Sequence, residues 1–236
     1  MNNVPQIQFC YLLAADYGSR LHELEPMLTF EERERGHRFL RLQDRIQFVL
    51  GRVVVRRICA NQLKIKPTAV QIELSRSGKP YAVCPSSRFE FNISHATGIV
   101  VIAWNASHPV GIDVESTDQS LPFQEISRVA FSETECAVLS TANLDEVQHM
   151  FFRIWVRKEA VLKAEGCGIC ETLQSFSLVH QYNSQVVWPS ILRFPSSMRL
   201  WKIVDLSVAS KYVIAIAMPP TAEIVLCTPE EIGLLR

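Results

Sequence analysis

Three carboxylates and one lysine pose the chemical question. Asp113 and Glu115 stand two apart in residues 109–116, PVGIDVES. A strand of that sequence alternates its side chains, so both acids take one side, about 7 Å apart, while Ile112 and Val114 take the other. Like charges that close repel, and a hard divalent cation resolves the repulsion: Mg²⁺ accepts one or two protein carboxylates together with phosphate oxygens and water at about 2.1 Å. The competing reading is a solvent-facing edge strand with two acids, which the flanking apolar residues and Gly111 argue against. Glu159 and Lys163 belong to residues 151–169, FFRIWVRKEAVLKAEGCGI. At helical period Phe151, Trp155, Glu159 and Lys163 share one face, a stripe that begins aromatic and ends in a carboxylate and an ammonium. That stripe is either an amphipathic helix ending in a surface Glu to Lys pair, or a metal carboxylate one turn ahead of a phosphate-binding lysine. Gly166 and Gly168 then stop the helix and allow a left-handed cap or a close backbone approach to a ligand.

Those residues need elements to hold them. The chain has 236 residues, 48% of them hydrophobic, enough for a substantial core in one unit or two closely packed lobes. Lys plus Arg equals Asp plus Glu, 24 against 24, so no global field points to nucleic acid or an acidic membrane. The first twenty residues lack a basic leader with a long apolar run, and no later run approaches the ~20 apolar residues of a membrane span, so a cytoplasmic protein is expected. Seven cysteines, an odd number, fit a reducing compartment better than a disulfide framework. Cys167 and Cys170 form a CxxC without the two further ligands a zinc site needs, and it closes a helix where a redox pair would open one.

Residues 29–63 read as helix, with Thr29 as cap, Glu31, Glu32 and Glu34 in the first turns, and a break near Gly36 or Gly51. Phe39, Leu42, Ile46, Val49, Val53 and Ile58 make the apolar face; the other face collects Arg33, Arg35, Arg38, Arg41, Arg45, Arg52, Arg56 and Arg57, read as a solvated face or an anion site. Strands are expected at 69–74, 89–93 and 99–104. Lys79 and Pro80 follow Gly78 on a rigid turn, and Asn92, Ser94 and His95 end a strand, where Ser94 and His95 can donate to a phosphate or serve only as turn hydroxyl and satisfied histidine. Residues 131–139 read as a short helix with a Ser132/Glu135 capping box. Strands are expected again at 176–179, 186–188, 198–204 and 212–217. Each half is thus a long helix followed by antiparallel strands, an α+β layout of two similar lobes, residues 1–108 and 109–236.

In order and spacing, GKP before FNISHATG (residues 91–98), GIDVE (111–115), residues 131–139 and WVRKEAVLKAEGCGI from Trp155 resemble the 4′-phosphopantetheinyl transferases of the surfactin-synthetase-activating type. The resemblance runs from about Thr29 to the C-terminus. It implies a monomer of two lobes related by a pseudo-two-fold, with coenzyme A as substrate, Mg²⁺ or alternatively Mn²⁺ on its pyrophosphate, and an apo acyl or peptidyl carrier protein as transient partner. By resemblance Asp113, Glu115 and Glu159 match the metal carboxylates, Glu159 and Lys163 the catalytic pair, and Lys79, Pro80, Ser94, His95 and Lys163 the residues that hold coenzyme A. Arg35 matches one of two cations the family offers to the 3′-phosphate, and the other place holds Glu32, with Arg33 beside it. The activity implied is transfer of 4′-phosphopantetheine from coenzyme A to a carrier serine, with release of adenosine 3′,5′-bisphosphate. Two other classes stand beside it: a non-catalytic module binding coenzyme A or a carrier, which would tolerate loss of the carboxylates, and a metal-dependent hydrolase of pyrophosphate bonds, which could use the same trio with water in place of serine.

Overall fold

The computed structural model describes residues 4–75, 78–83, 89–118, 121–167, 173–182 and 185–234. Gly168 and Cys170, and with them the second half of the CxxC, lie outside the described residues. The chain divides into two units, residues 6–108 together with 223–236, and residues 1–5 together with 109–222.

In the first unit β1 (Gln6–Leu13) leads through α1 (Leu21–Leu24) to α2 (Phe30–His37) and α3 (Leu42–Leu63), followed by β2 (Ile72–Leu74), β3 (Pro80–Ala82), β4 (Glu90–Ala96) and β5 (Ile99–Asn105). Thr29 and Glu32 form a reciprocal capping box that starts α2: the Thr29 hydroxyl accepts from the Glu32 amide and the Glu32 carboxylate from the Thr29 amide. The helix expected over 29–63 is interrupted at residues 38–41, just past Gly36, which is buried against the Phe48 ring; Gly51 continues α3 unbroken. Ile46, Val49, Leu50, Val53, Val54 and Ile58 of α3 pack with Leu12, Phe91, Val100, Ile102 and Trp104 of the sheet in one cluster. Burial of each such side chain contributes roughly 1.5–3 kcal/mol. The arginine face is not uniformly solvated. Arg56 is buried and donates to the carbonyls of Pro67 and Val70 and to Glu32.

The second unit comprises β6 (Gly111–Ser116), α4 (Phe123–Ala130), α5 (Glu133–Ser140), α6 (Leu144–Glu165), β7 (His180–Tyr182), β8 (Gln185–Val187), β9 (Ile191–Arg193), β10 (Leu200–Leu206) and β11 (Tyr212–Met218). Its four-stranded sheet runs β6-β11-β10-β9, antiparallel throughout. Ile154, Val161 and Leu162 of α6 pack with Trp201, Ile203, Val213, Ala215 and Ala217 of that sheet. The expected strand at 176–179 does not form. A 3₁₀ turn (Leu173–Ser175) precedes this stretch, and the Leu178 amide donates to the Glu135 carboxylate, a side chain taking the place of a ladder partner. The final strand, β12 (Glu223–Leu226), pairs parallel with β1 in a sheet ordered β12-β1-β5-β4, so it belongs to the first unit and not to the second lobe where the sequence had put it. Helices and mainly antiparallel sheets give an α+β fold.

One contact fixes the placement of β6. A Cβ on Gly111 would lie 1.9 Å from the Ala160 carbonyl oxygen and 2.5 Å from the Ala164 amide nitrogen, both backbone atoms of α6. Only a residue without a side chain lets strand and helix meet there. Gly111→Ala is expected to cost at least about 3 kcal/mol of unfolding free energy, because the obstruction is backbone that cannot rotate away. Gly51→Ala, whose Cβ would touch only the flexible tip of Ile93 at 3.4 Å, should be neutral or stabilising by up to about 1 kcal/mol. Denaturant midpoints of the two variants check this, and a Gly111→Ala protein as stable as Gly51→Ala would remove the contact from the account.

Candidate active site

The close contact at Gly111 sets β6 against the face of α6 that carries Glu159 and Lys163. Asp113 and Glu115 pair across β6–β11 with Ala215 and Val213, residues of the α6-side core, so both carboxylates share that side. Ile112 and Val114 are buried on the other side, as the alternation requires. Asp113 is 5% exposed, Glu159 8%, and Glu115 is half-buried.

The Lys163 ammonium lies 2.6 Å from Asp113 Oδ1 and 3.3 Å from the Ile112 carbonyl oxygen. The expected lysine of the helical stripe is therefore an ion-pair partner of the first acid of the DxE. Glu159 is the unusual member. Its Oε1 is inaccessible and, among the described residues, has no hydrogen-bond partner. Burial pushes its carboxyl up to about 7; repulsion from Asp113 and Glu115 adds to this and Lys163 opposes it. Both carboxylates are thus close enough for their charge to be felt at Glu159. Among the described residues no three His, Cys, Asp or Glu side chains stand close enough together to ligate one ion as they are. The set still fits a divalent ion: its donors are hard carboxylate oxygens, among them the buried Glu159 Oε1 that no hydrogen bond from the described residues satisfies.

Sequence reasoning passed over the residue beside Glu159. Lys158 is 0% exposed and its ammonium is fully engaged, 2.6 Å from the carbonyl oxygens of Leu173 and Phe176 and 2.9 Å from Glu135, itself 0% exposed. Glu135 also accepts from the amides of Ser132 and Leu178. The signal was present: Lys158 sits four residues from Ile154 and from Leu162, in a wholly apolar row of α6. Farther along, Arg153 and Arg157 hold Asp205, with the Arg153 guanidinium 3.9 Å from the Trp188 ring centroid. At the helix end Glu165 accepts from the Trp201 indole at 2.6 Å and from Ser197 at 2.7 Å, and Gly166 closes α6 with φ 79°.

The other sequence-derived site residues lie in the first unit. Ser94 is buried and His95 exposed on β4, and Gln47 of α3 donates to the Ala96 carbonyl at the end of that strand. Lys79 and Pro80 are half-buried, and burial lowers the Lys79 ammonium from its ordinary value while Glu90 opposes the change. Arg35 is exposed on α2. In the second unit a cavity of about 470 Å³ opens among Phe123, Ser127, Cys136, Leu139, Val147 and Phe151.

Residues 109–217, which span the acids, Lys163 and both helical supports, match the 4′-phosphopantetheinyl transferase superfamily, and residues 18–107 match the N-terminal region of 4′-phosphopantetheinyl transferases. The chain is 34% identical over 168 residues to the 4′-phosphopantetheinyl transferase Sfp of Bacillus subtilis, covering 70% of this chain and 73% of the relative. It belongs to the 4′-phosphopantetheinyl transferase family. HetI of Nostoc, another 4′-phosphopantetheinyl transferase, is 31% identical over 65% of each chain. The L-aminoadipate-semialdehyde dehydrogenase-phosphopantetheinyl transferase of Xenopus laevis is 32% identical over 61% of this chain and about half, 51%, of its own length.

A pH dependence follows from Glu159. Its carboxyl is raised from 4.5 to about 7 in the folded chain, so the folded state holds the proton more tightly than the unfolded one. That contribution is complete below pH 4.5 and disappears as the pH rises through 7, a loss of at most about 3 kcal/mol. Relative to Glu159→Gln, the metal-free protein should therefore lose unfolding free energy between pH 5 and 8, and millimolar Mg²⁺ should shrink the loss. Parallel pH profiles for the two proteins would show that Glu159 is not held as described.

Proposed function

We propose that this chain moves the 4′-phosphopantetheine group of coenzyme A onto a serine hydroxyl of an apo acyl or peptidyl carrier protein, releasing adenosine 3′,5′-bisphosphate. The observation that carries the reading is the buried Glu159 carboxylate facing the charges of Asp113 and Glu115, with Lys163 between strand and helix on Asp113. Family membership supplies the reaction class.

Asp113, Glu115 and Glu159 would hold a divalent ion, Mg²⁺ on the hardness of their oxygens and Mn²⁺ as a substitute. When bound, such an ion supplies charge neutralisation for the pyrophosphate. The residues of the chain do the rest. Lys163 offers a compact positive charge one turn from Glu159, and released from Asp113 it can turn to phosphate oxygens, where negative charge grows as the bond to the leaving group breaks. Glu159, directly or through a water, is the candidate to take the serine proton as the serine oxygen bonds to the β-phosphorus and the adenosine bisphosphate departs with the bridging oxygen. Arg35, Lys79, Pro80, Ser94 and His95 are assigned to the nucleotide end.

The carrier is proposed to dock transiently on the monomer at the 470 Å³ cavity of the second unit, whose rim includes Phe123. Phe131 and Leu139 are 2% and 8% exposed and belong to the core, so Phe123 and the cavity rim are left for that role. Each unit pairs a 22-residue helix with a four-stranded sheet, which supports the reading of two related lobes. Among the described residues no helix is long and apolar enough to cross a membrane. A cytoplasmic setting is proposed from the cysteines, five of which are free thiols among the described residues.

Incubation of the pure protein with coenzyme A, Mg²⁺ and apo carrier proteins, followed by weighing the carrier, tests the function. One added phosphopantetheine is expected, and it should fall at least about a thousandfold in rate for Asp113→Ala with the fold retained. Adenosine bisphosphate without modified carrier would select a hydrolase, and no turnover on any carrier would leave a binding module.

A further inference from the structure

The end of α3 and the start of β1 border a cavity that the transferase reading does not use. It measures about 450 Å³, within the range of small-molecule sites, and the residues around it all belong to the first unit. Gln8 and Trp104 face each other at one end of the β1–β5 ladder, and Ile58 and Asn61 come from the last two turns of α3. Ser94 and His95, assigned above to the nucleotide, pair at the other end of β5, on the edge strand opposite β12. The cavity is thus at the far corner of the sheet from them.

Trp104 brings an unanswered donor to this cavity. The residue is 6% exposed, and among the described residues its indole N–H has no hydrogen-bond partner. The nitrogen is not one of the orphaned atoms sealed from solvent, so it opens on the cavity that the residue lines. A buried indole ordinarily finds an acceptor for its N–H, and here only the cavity can supply one.

The walls decide the charge of what enters. Glu231 is the one ionised side chain among the described residues that line the cavity. Its Oε2 accepts from the Thr228 amide at 2.7 Å, and its Oε1 takes no hydrogen bond from the described residues. The Cys227 thiol beside it is pushed up by burial and by Glu231, and so is neutral at pH 7. Arg57 spends its guanidinium on the Ile232 carbonyl and does not line the cavity. A phosphate or carboxylate would be repelled here and an ammonium attracted.

We infer that this cavity is a binding site for a small organic amine, with its ammonium on Glu231, an acceptor oxygen on the Trp104 N–H and an apolar body against Ile58 and Ile232. Such a ligand is the chemical opposite of the polyanionic coenzyme A. The first unit therefore carries a second site, separate from the one the transfer reaction uses.

Tyramine, which joins an ammonium, an aromatic body and a phenol oxygen, is the probe; N-acetyltyramine is its neutral counterpart and phloretate its carboxylate analogue. Proton–nitrogen correlation NMR reads the indole N–H of each of the four tryptophans, with Trp104 assigned by triple-resonance experiments. Tyramine at millimolar concentration is expected to move the Trp104 signal saturably, N-acetyltyramine more weakly and phloretate not at all. Glu231→Gln should weaken tyramine about tenfold, the loss expected for one charge-assisted contact, and level it with N-acetyltyramine. That substitution keeps the oxygen that accepts from Thr228, and unmoved signals from the other tryptophans show that the variant folds. A Trp104 signal that tyramine leaves in place, phloretate binding as well as tyramine, or wild-type affinity in Glu231→Gln would overturn the site. Neither coenzyme A nor carrier enters the measurement, so its outcome is independent of the transferase reading.

Discussion

Electrostatic repulsion among acids set close together is the constraint on which the second unit is built. Gly111 lets β6 come so near α6 that Asp113 and Glu115 raise the cost of ionising Glu159. A protein gains no stability from burying like charges, so the arrangement persists only because the surrounding structure over-determines it. Lys163 offsets part of the cost through Asp113. A bound cation and a phosphate would offset the remainder, with the ammonium free to move from carboxylate to phosphate. On the proposed reading, binding would draw on repulsion that the folded chain already holds.

What over-determines α6 lies on its other faces. The Lys158–Glu135 pair is fully buried and satisfied by carbonyls and amides from three segments, so it anchors the helix without exposing charge. Removing either partner would leave an uncompensated buried ion, costing about 3–5 kcal/mol. Arg153 and Arg157 hold Asp205 of β10 and Trp188 just past β8, and Glu165 ties the last turn to Trp201. Each side of the helix is thereby committed, which leaves the row containing Glu159 and Lys163 as the one given to chemistry. Adjacent residues in a KE pair have opposite duties because a helix turns them 100° apart.

The sequence carried the period-2 and period-3.6 signals of the site elements clearly. Alternation in GIDVE placed both acids on one side, and the four-residue row placed Glu159 with Lys163. Less was legible where the deciding partner is distant in the chain. Strand β1 keeps its place through pairing with β5 and with β12, more than two hundred residues later, and β12 has only four residues of its own. Residues 176–179 look like a strand by composition, yet a glutamate forty-three residues earlier takes the Leu178 amide. The arginine face of α3 read as one surface because charge alone says nothing of which guanidinium reaches a buried carbonyl, as Arg56 does. Lys163 was legible as a cation in the site, but its partner Asp113 is fifty residues upstream.

The central claim is that Asp113, Glu115 and Glu159 act together on one cation. Electron paramagnetic resonance of Mn²⁺ titrated into the metal-free protein, without coenzyme A or carrier, measures it most directly. One bound ion per chain is expected, with affinity falling at least about tenfold in each of Asp113→Asn, Glu115→Gln and Glu159→Gln. Wild-type Mn²⁺ affinity in all three variants would contradict the account.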